Sequence, residues 1–119
     1  MTDKHIAGKE YYTAERCHIT ELHNTKNDPG VSIARARVEP GITTAWHRVA
    51  DTTERYIVTA GEGTAEIGDS EVIQLAVGES ITIPAGVRQR IYNSGETDLI
   101  FLCVCTPGFD WNNYESLET

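Results

Sequence analysis

Hydrophobic and polar residues in this chain alternate in short runs of period two, broken about every ten residues by glycine, proline, asparagine or aspartate. Alternation of this kind places successive side chains on opposite faces of a strand. Residues 15–22 put Cys17, Ile19 and Glu21 on one face. Asp28-Pro29-Gly30 makes a turn, residues 31–38 form the next expected strand, and Glu39-Pro40-Gly41 ends it. Residues 43–49 and 54–60 flank a turn at Asp51-Thr52-Thr53. Further strands are expected at 64–67, 71–75, 80–83, 88–92 and 98–105, with turn-forming residues between them. In the tail, Trp111, Tyr114 and Leu117 recur at a spacing of three, which predicts a short helical turn or a loop folded back on the sheet. No stretch has the pattern of a βαβ unit. Many short strands with turn chemistry between them indicate an all-β sandwich or barrel.

Two of the strand–turn–strand units carry candidate chemistry. In the first, five residues separate Gly41 from His47, six separate His47 from Glu54, and six separate Glu54 from Gly61. By parity His47 and Val49 share a face before the turn, and Glu54, Tyr56 and Val58 share one after it. Folding those faces together brings an imidazole near a carboxylate, a pairing that holds a divalent metal or orients the ring by a charged hydrogen bond. In the second, five residues separate Gly78 from Pro84-Ala85-Gly86, two more lead to Gln89, and three more to Asn93. Trp46 and Tyr92 each neighbour an inward position, so parity sends them to the outer face.

These units resemble the paired motifs of the cupin superfamily, in which the first runs Gly, His-x-His, Glu, Gly and the second Gly, Pro-x-Gly, His, Asn. The glycine, proline and asparagine landmarks all fall in place. Val49 stands where the second histidine is found, and Gln89 stands for the histidine of the second motif. The resemblance spans about residues 31–105 and implies a double-stranded β-helix, the jelly-roll barrel of that family. Residues 1–30 would then be an extension carrying an extra strand, and 106–119 a tail packed on the barrel. It further implies a divalent metal (Fe, Mn, Ni or Zn) on His47, Glu54 and Gln89, three ligands at best, with Glu54 also able to act as a catalytic base. The alternative is a metal-free pocket in which His47 and Glu54 bond directly, and Gln89 reads equally as a polar residue hydrogen-bonded to His47 or Glu54. Val49, Tyr56, Val58 and Ile91 would line a pocket for a small organic molecule. The activities implied are those of a dioxygenase, an isomerase or a lyase, and the alternative is a sensor or carrier without catalysis. Many single-domain cupins pair as homodimers through N-terminal strands, so a homodimer is expected.

Composition narrows the partners. The 119 residues suit one domain, and a net charge of −8 opposes the phosphate contacts on which nucleic-acid binding rests, as well as anionic membranes. Three cysteines, an odd number, and a start without an apolar stretch lead us to expect a cytoplasmic protein. Cys103-Val104-Cys105 has no second pair for a zinc ribbon and is expected to pack as two small hydrophobes. All three lysines precede residue 27, whereas six of the seven arginines follow it. Arginines in the strands suit either an anionic ligand at the barrel mouth or ion pairs with surface carboxylates, and the second is the expectation. His5, His18 and His23 precede the barrel and are expected at the surface.

Overall fold

Alternation builds strands here and almost nothing else. The computed structural model describes residues 2–118. The strands are β1 (Tyr11–Tyr12), β2 (His18–His23), β3 (Ser32–Val38), β4 (His47–Val49), β5 (Thr53–Ala60), β6 (Gly63–Ile67), β7 (Glu71–Leu75), β8 (Ser80–Ile83), β9 (Gln89–Tyr92), β10 (Leu99–Thr106) and β11 (Tyr114–Ser116). They form two antiparallel sheets, ordered β1-β2-β3-β10-β5-β8 and β11-β4-β9-β6-β7. The inner faces meet in one core, where Val38, Val58, Ile83, Ile91, Leu99 and Phe101 are almost wholly buried. This is the jelly-roll sandwich expected from the alternation. No helix among the described residues is long and apolar enough to cross a membrane.

Three expectations change. The strand expected from residue 15 begins at His18, because Glu15 and Arg16 lie in a turn closed by Thr13 N on Cys17 O. Residues 43–46 do not continue β4, because their backbone is claimed by both ends of the chain. Ala45 N donates to Glu15 O at 3.0 Å, Trp46 N to a Glu118 carboxylate oxygen at 3.2 Å, and Leu117 N to Trp46 O at 2.9 Å. Thr43 keeps only an isolated bridge to Tyr92, and Thr44 is tied to Ile91 by its backbone N and its hydroxyl, both at 2.9 Å. The tail, in turn, is more than a folded-back loop. Trp111–Asn113 form a 3-10 turn capped by Asp110, and Tyr114–Ser116 then pair with β4 as the edge strand of the second sheet.

The motif landmarks have physical reasons. Gly61 holds φ at +75°, and a Cβ there would stand 2.5 Å from the Asp98 carbonyl oxygen, so only glycine allows β5 to pass into β6 beside β10. Asn93 is fully buried and stitches one sheet to the other. Its Nδ2 donates to Val38 O at 2.9 Å and to Thr97 O at 2.8 Å, while its Oδ1 accepts from Gly95 N at 2.9 Å. Asn93→Ala removes the partner of all three backbone groups, of which Val38 O lies in the interior. We expect a loss of about 3 kcal/mol in urea unfolding with an unchanged m-value. A loss below about 1 kcal/mol would show that water replaces the amide.

Candidate functional site

The register of the sheets decides what meets in the barrel. On β5, Glu54 lies opposite Cys105 of β10 and Tyr56 opposite Cys103. On the second sheet, His47 of β4 lies opposite Gln89 of β9. All four polar side chains (His47, Glu54, Tyr56 and Gln89) point inward and are almost fully buried. A hydrogen-bond chain then runs between the sheets. The Tyr56 hydroxyl donates to Gln89 Oε1, and Gln89 Nε2 donates to Glu54 Oε1 at 2.5 Å. The Cys105 thiol approaches the other Glu54 oxygen at 3.8 Å.

His47 is held separately. Its Nδ1 lies 2.8 Å from Ala45 O, an acceptor, so Nδ1 carries the proton and Nε2 keeps the lone pair. The ring stacks on Tyr114, with centroids 5.3 Å apart and planes 25° from parallel. Burial pushes the imidazole below its ordinary range, against the pull of Ala45 O and Glu54. Burial pushes Glu54 the opposite way, above the usual carboxylate range, against His47 and the Gln89 amide. Both effects favour neutral groups. Such shifts suit the imidazole on one sheet to accept a proton and the carboxyl on the other to give one.

A second carboxylate enters from the N-terminal extension. Glu15 Oε2 lies 3.2 Å from His47 Nδ1, and the Glu15 side chain is only 16% exposed. The tight turn around it is closed by Thr13 N and the Thr13 hydroxyl, each 2.9 Å from Cys17 O. Within that turn Arg16 adopts φ +66°, a left-handed conformation costly for a non-glycine residue. It is secured there by Arg16 Nε on Thr43 O at 2.9 Å and by an ion pair to Glu118 at 3.1 Å. Burial alone pushes Glu15 up to about 7.

These groups open into a cavity of about 60 Å³, room for several water molecules. Of the expected pocket residues, Val49, Tyr56 and Ile91 line it together with His47 and Glu54. Val58 does not; it is packed in the core behind Tyr56. Gln89 is fully buried behind the lining rather than in it. Glu15, Glu21, Trp111 and Tyr114 also line the cavity. The parity of 15–22 and the aromatic spacing of the tail were the available signals for them, but neither says which strand they meet. His18 and His23 are half-buried beside carboxylates (Glu10 and Glu39 for His18, Asp28 for His23) and neither lines the cavity.

The donor set fits a three-ligand metal poorly. Gln89 Oε1 is occupied by the Tyr56 hydroxyl, its amide nitrogen is no ligand, and Val49 offers nothing. One Glu54 oxygen faces the Gln89 N–H and the other the Cys105 thiol. His47 Nε2 is the remaining ring donor. Among the described residues no group of three His, Cys, Asp or Glu side chains could hold an ion, whereas protein metal sites ordinarily supply three or more ligands.

The model of the cupin domain family matches residues 34–105, more than half of the chain. This chain is a cupin. An uncharacterised protein of Methanocaldococcus jannaschii, MJ1618, is 31% identical over 112 residues, covering 92% of this cupin and 89% of its own length. Among solved structures, the Streptomyces nucleoside dehydratase Pac13 superposes with a TM-score of 0.80 at 17% identity, over 99% of this chain and 92% of its own. KdgF from Halomonas superposes with a TM-score of 0.75 at 14% identity, over 87% and 89% of the two chains. At such identities the two structures establish the shared fold.

Glu15 supplies a pH test. A carboxyl held near pH 7 in the fold and at 4.5 when unfolded makes the folded state the stronger proton binder between those values. Its stabilisation is therefore complete below pH 4.5 and is lost as pH rises through about 7. Glu15→Gln should remove that slope, leaving the variant more stable than the parent at pH 8 by as much as about 3 kcal/mol. Parallel pH–stability curves for the two proteins would show that Glu15 ionises freely.

Proposed function

We propose that this cupin binds a small organic molecule in the barrel and acts on it by acid–base chemistry, with His47 as base and Glu54 as acid, without a metal. The observation that carries the reading is the engagement of Gln89 by Tyr56 on one side and Glu54 on the other, which ties both ends of the amide into the hydrogen bonds of the interior. His47 Nε2 takes a proton from a carbon beside a carbonyl. The electron pair of that C–H bond forms a C=C bond, a hydroxyl leaves, and Glu54 supplies the proton with which it departs as water. If no hydroxyl is present, the proton returns to a neighbouring carbon and the reaction is an isomerisation. Either reaction falls within the lyase and isomerase classes. A nucleoside dehydratase on the same fold supports the choice of chemistry, and the uridine complexes of Pac13 suggest uridine as a first compound to try.

The competing reading keeps Fe, Mn, Ni or Zn on His47, Glu54 and Gln89 and rests on the match of the first two to the cupin ligand positions. Elemental analysis of protein never exposed to a nickel column separates the two. We expect well under one metal per chain, even after incubation with excess Mn, Fe, Ni and Zn, and no difference between the parent and Glu54→Ala. Stoichiometric metal that disappears in Glu54→Ala would establish the metal site and overturn the metal-free mechanism.

The binding half is tested by thermal shift with a panel of hydroxylated ring compounds. A bound compound raises the melting temperature of the parent through linkage, and His47→Ala should abolish that rise while leaving the strand circular dichroism unchanged. If every rise persists in His47→Ala, His47 does not contact the ligand.

A further inference from the structure

The cavity is lopsided in charge. Three carboxyl groups line it, Glu15, Glu21 and Glu54, and no lysine or arginine does. The arginines of the strands are used elsewhere. Arg37 pairs with Glu10 at 2.7 Å and Asp98 at 3.1 Å, Arg48 with Glu115 at 3.0 Å, and Arg90 with Glu66. Arg88 and Arg90 lie over the Trp46 ring, 4.3 and 4.4 Å from its centroid, on the outer face of the second sheet. Of the two uses considered for the arginines, Arg37, Arg48, Arg88 and Arg90 show surface pairing, and an anionic ligand would meet Glu15 and Glu21 with no lysine or arginine among the described residues lining the cavity to balance them.

The remaining wall of the mouth is aromatic. Phe109 meets Trp111 edge to face with centroids 4.9 Å apart, and Trp111 meets Tyr114 in the same manner at 5.0 Å. Tyr11, from the first strand, stands beside Trp111. Trp111 and Tyr11 remain 47% and 40% exposed, so their rings are open to an incoming molecule. Mutually tilted rings at the rim of a pocket, with carboxylates below and no built-in cation, reproduce the features by which proteins hold organic cations: ring faces attract the positive charge, and acids balance it.

Building on the proposed small-molecule function, we infer that the ligand is a flat-bodied organic cation, an amine or ammonium compound, whose charged group lies beside Glu15 and Glu21 while its body rests on the Tyr11, Trp111 and Tyr114 rings. The same charge balance disfavours phosphorylated and carboxylate-bearing metabolites.

Three probes of nearly equal size and shape test this: phenethylamine, 2-phenylethanol and phenylacetate, which at neutral pH are cationic, neutral and anionic. Binding is followed by calorimetry and by tryptophan fluorescence, with Trp111→Phe to assign the fluorescence response to the mouth. The amine should bind at least tenfold more tightly than the alcohol, and phenylacetate should not bind measurably. Glu21→Gln should weaken the amine severalfold and leave the alcohol unchanged, a contrast that a merely destabilised fold would not produce. Equal affinity for amine and alcohol, or tighter binding of phenylacetate, would overturn the charge assignment while leaving the pocket as a small-molecule site. If none of the three binds and the panel of hydroxylated ring compounds also gives no thermal shift, the small-molecule function itself falls, and this inference with it.

Discussion

The bond from Gln89 to Glu54 is the constraint on which the interior depends. A jelly roll buries one face of each sheet, and here both inner faces carry polar groups that water would otherwise solvate. An unpaired carboxyl or amide in such a place costs several kcal/mol. Gln89 removes that cost by reaching from the second sheet to Glu54 on the first, while Tyr56 occupies its other end. Polar groups deep in the barrel are thus satisfied by one another, which holds Glu54 in a single orientation. The imidazole Nε2 on the opposite sheet takes no part in these bonds. A substitution that saved the metal-ligand geometry of the family, by freeing Gln89, would leave Tyr56 and Glu54 seeking new partners.

Around this inner shell the site is assembled by the two ends of the chain. The barrel strands contribute His47, Glu54, Tyr56 and an apolar wall that includes Ala36, Ile91 and Phe101, and residues 11–21 and 109–114 complete the enclosure. One backbone bond, from Ala45 N to Glu15 O, brings the N-terminal turn against His47, and pairing of β11 with β4 brings Tyr114 onto the face of its ring. The irregular stretch at residues 43–46 is where both ends attach. Loss of regular pairing there is therefore what makes room for the site, in keeping with the tendency of functional positions to depart from ideal ladders.

The barrel was largely legible in the sequence. Period-two alternation located β3 and β5 to β10 to within a residue, because a strand with one buried face must repeat every second position, but it began β4 four residues too early. The same parity placed His47, Glu54, Tyr56 and Ile91 inward and Trp46 and Tyr92 outward, as the structure has them. Val58 was assigned to the pocket because it shares a face with Glu54 and Tyr56. Parity gives the face but not the depth, and Val58 lies deeper than the cavity reaches. The strand in the tail was missed because Tyr114–Ser116 is too short to display a period, and its partner lies more than sixty residues away.

What the sequence by itself determined was the all-β alternation, the turns, and the identity of the residues that face inward, since these follow from local sterics and from the separation of polar from apolar side chains. Only the tertiary structure decided which inward groups touch. Gln89 reads equally as a replacement ligand and as a polar residue bonding His47 or Glu54 until the sheets are stacked, when its two amide ends are found to meet Tyr56 and Glu54. Glu15 reads as an ordinary charge in a polar stretch until a turn with a left-handed Arg16 delivers it to His47. Hydrogen bonds and burial depend on distances between residues far apart in the chain, and no local pattern encodes those distances.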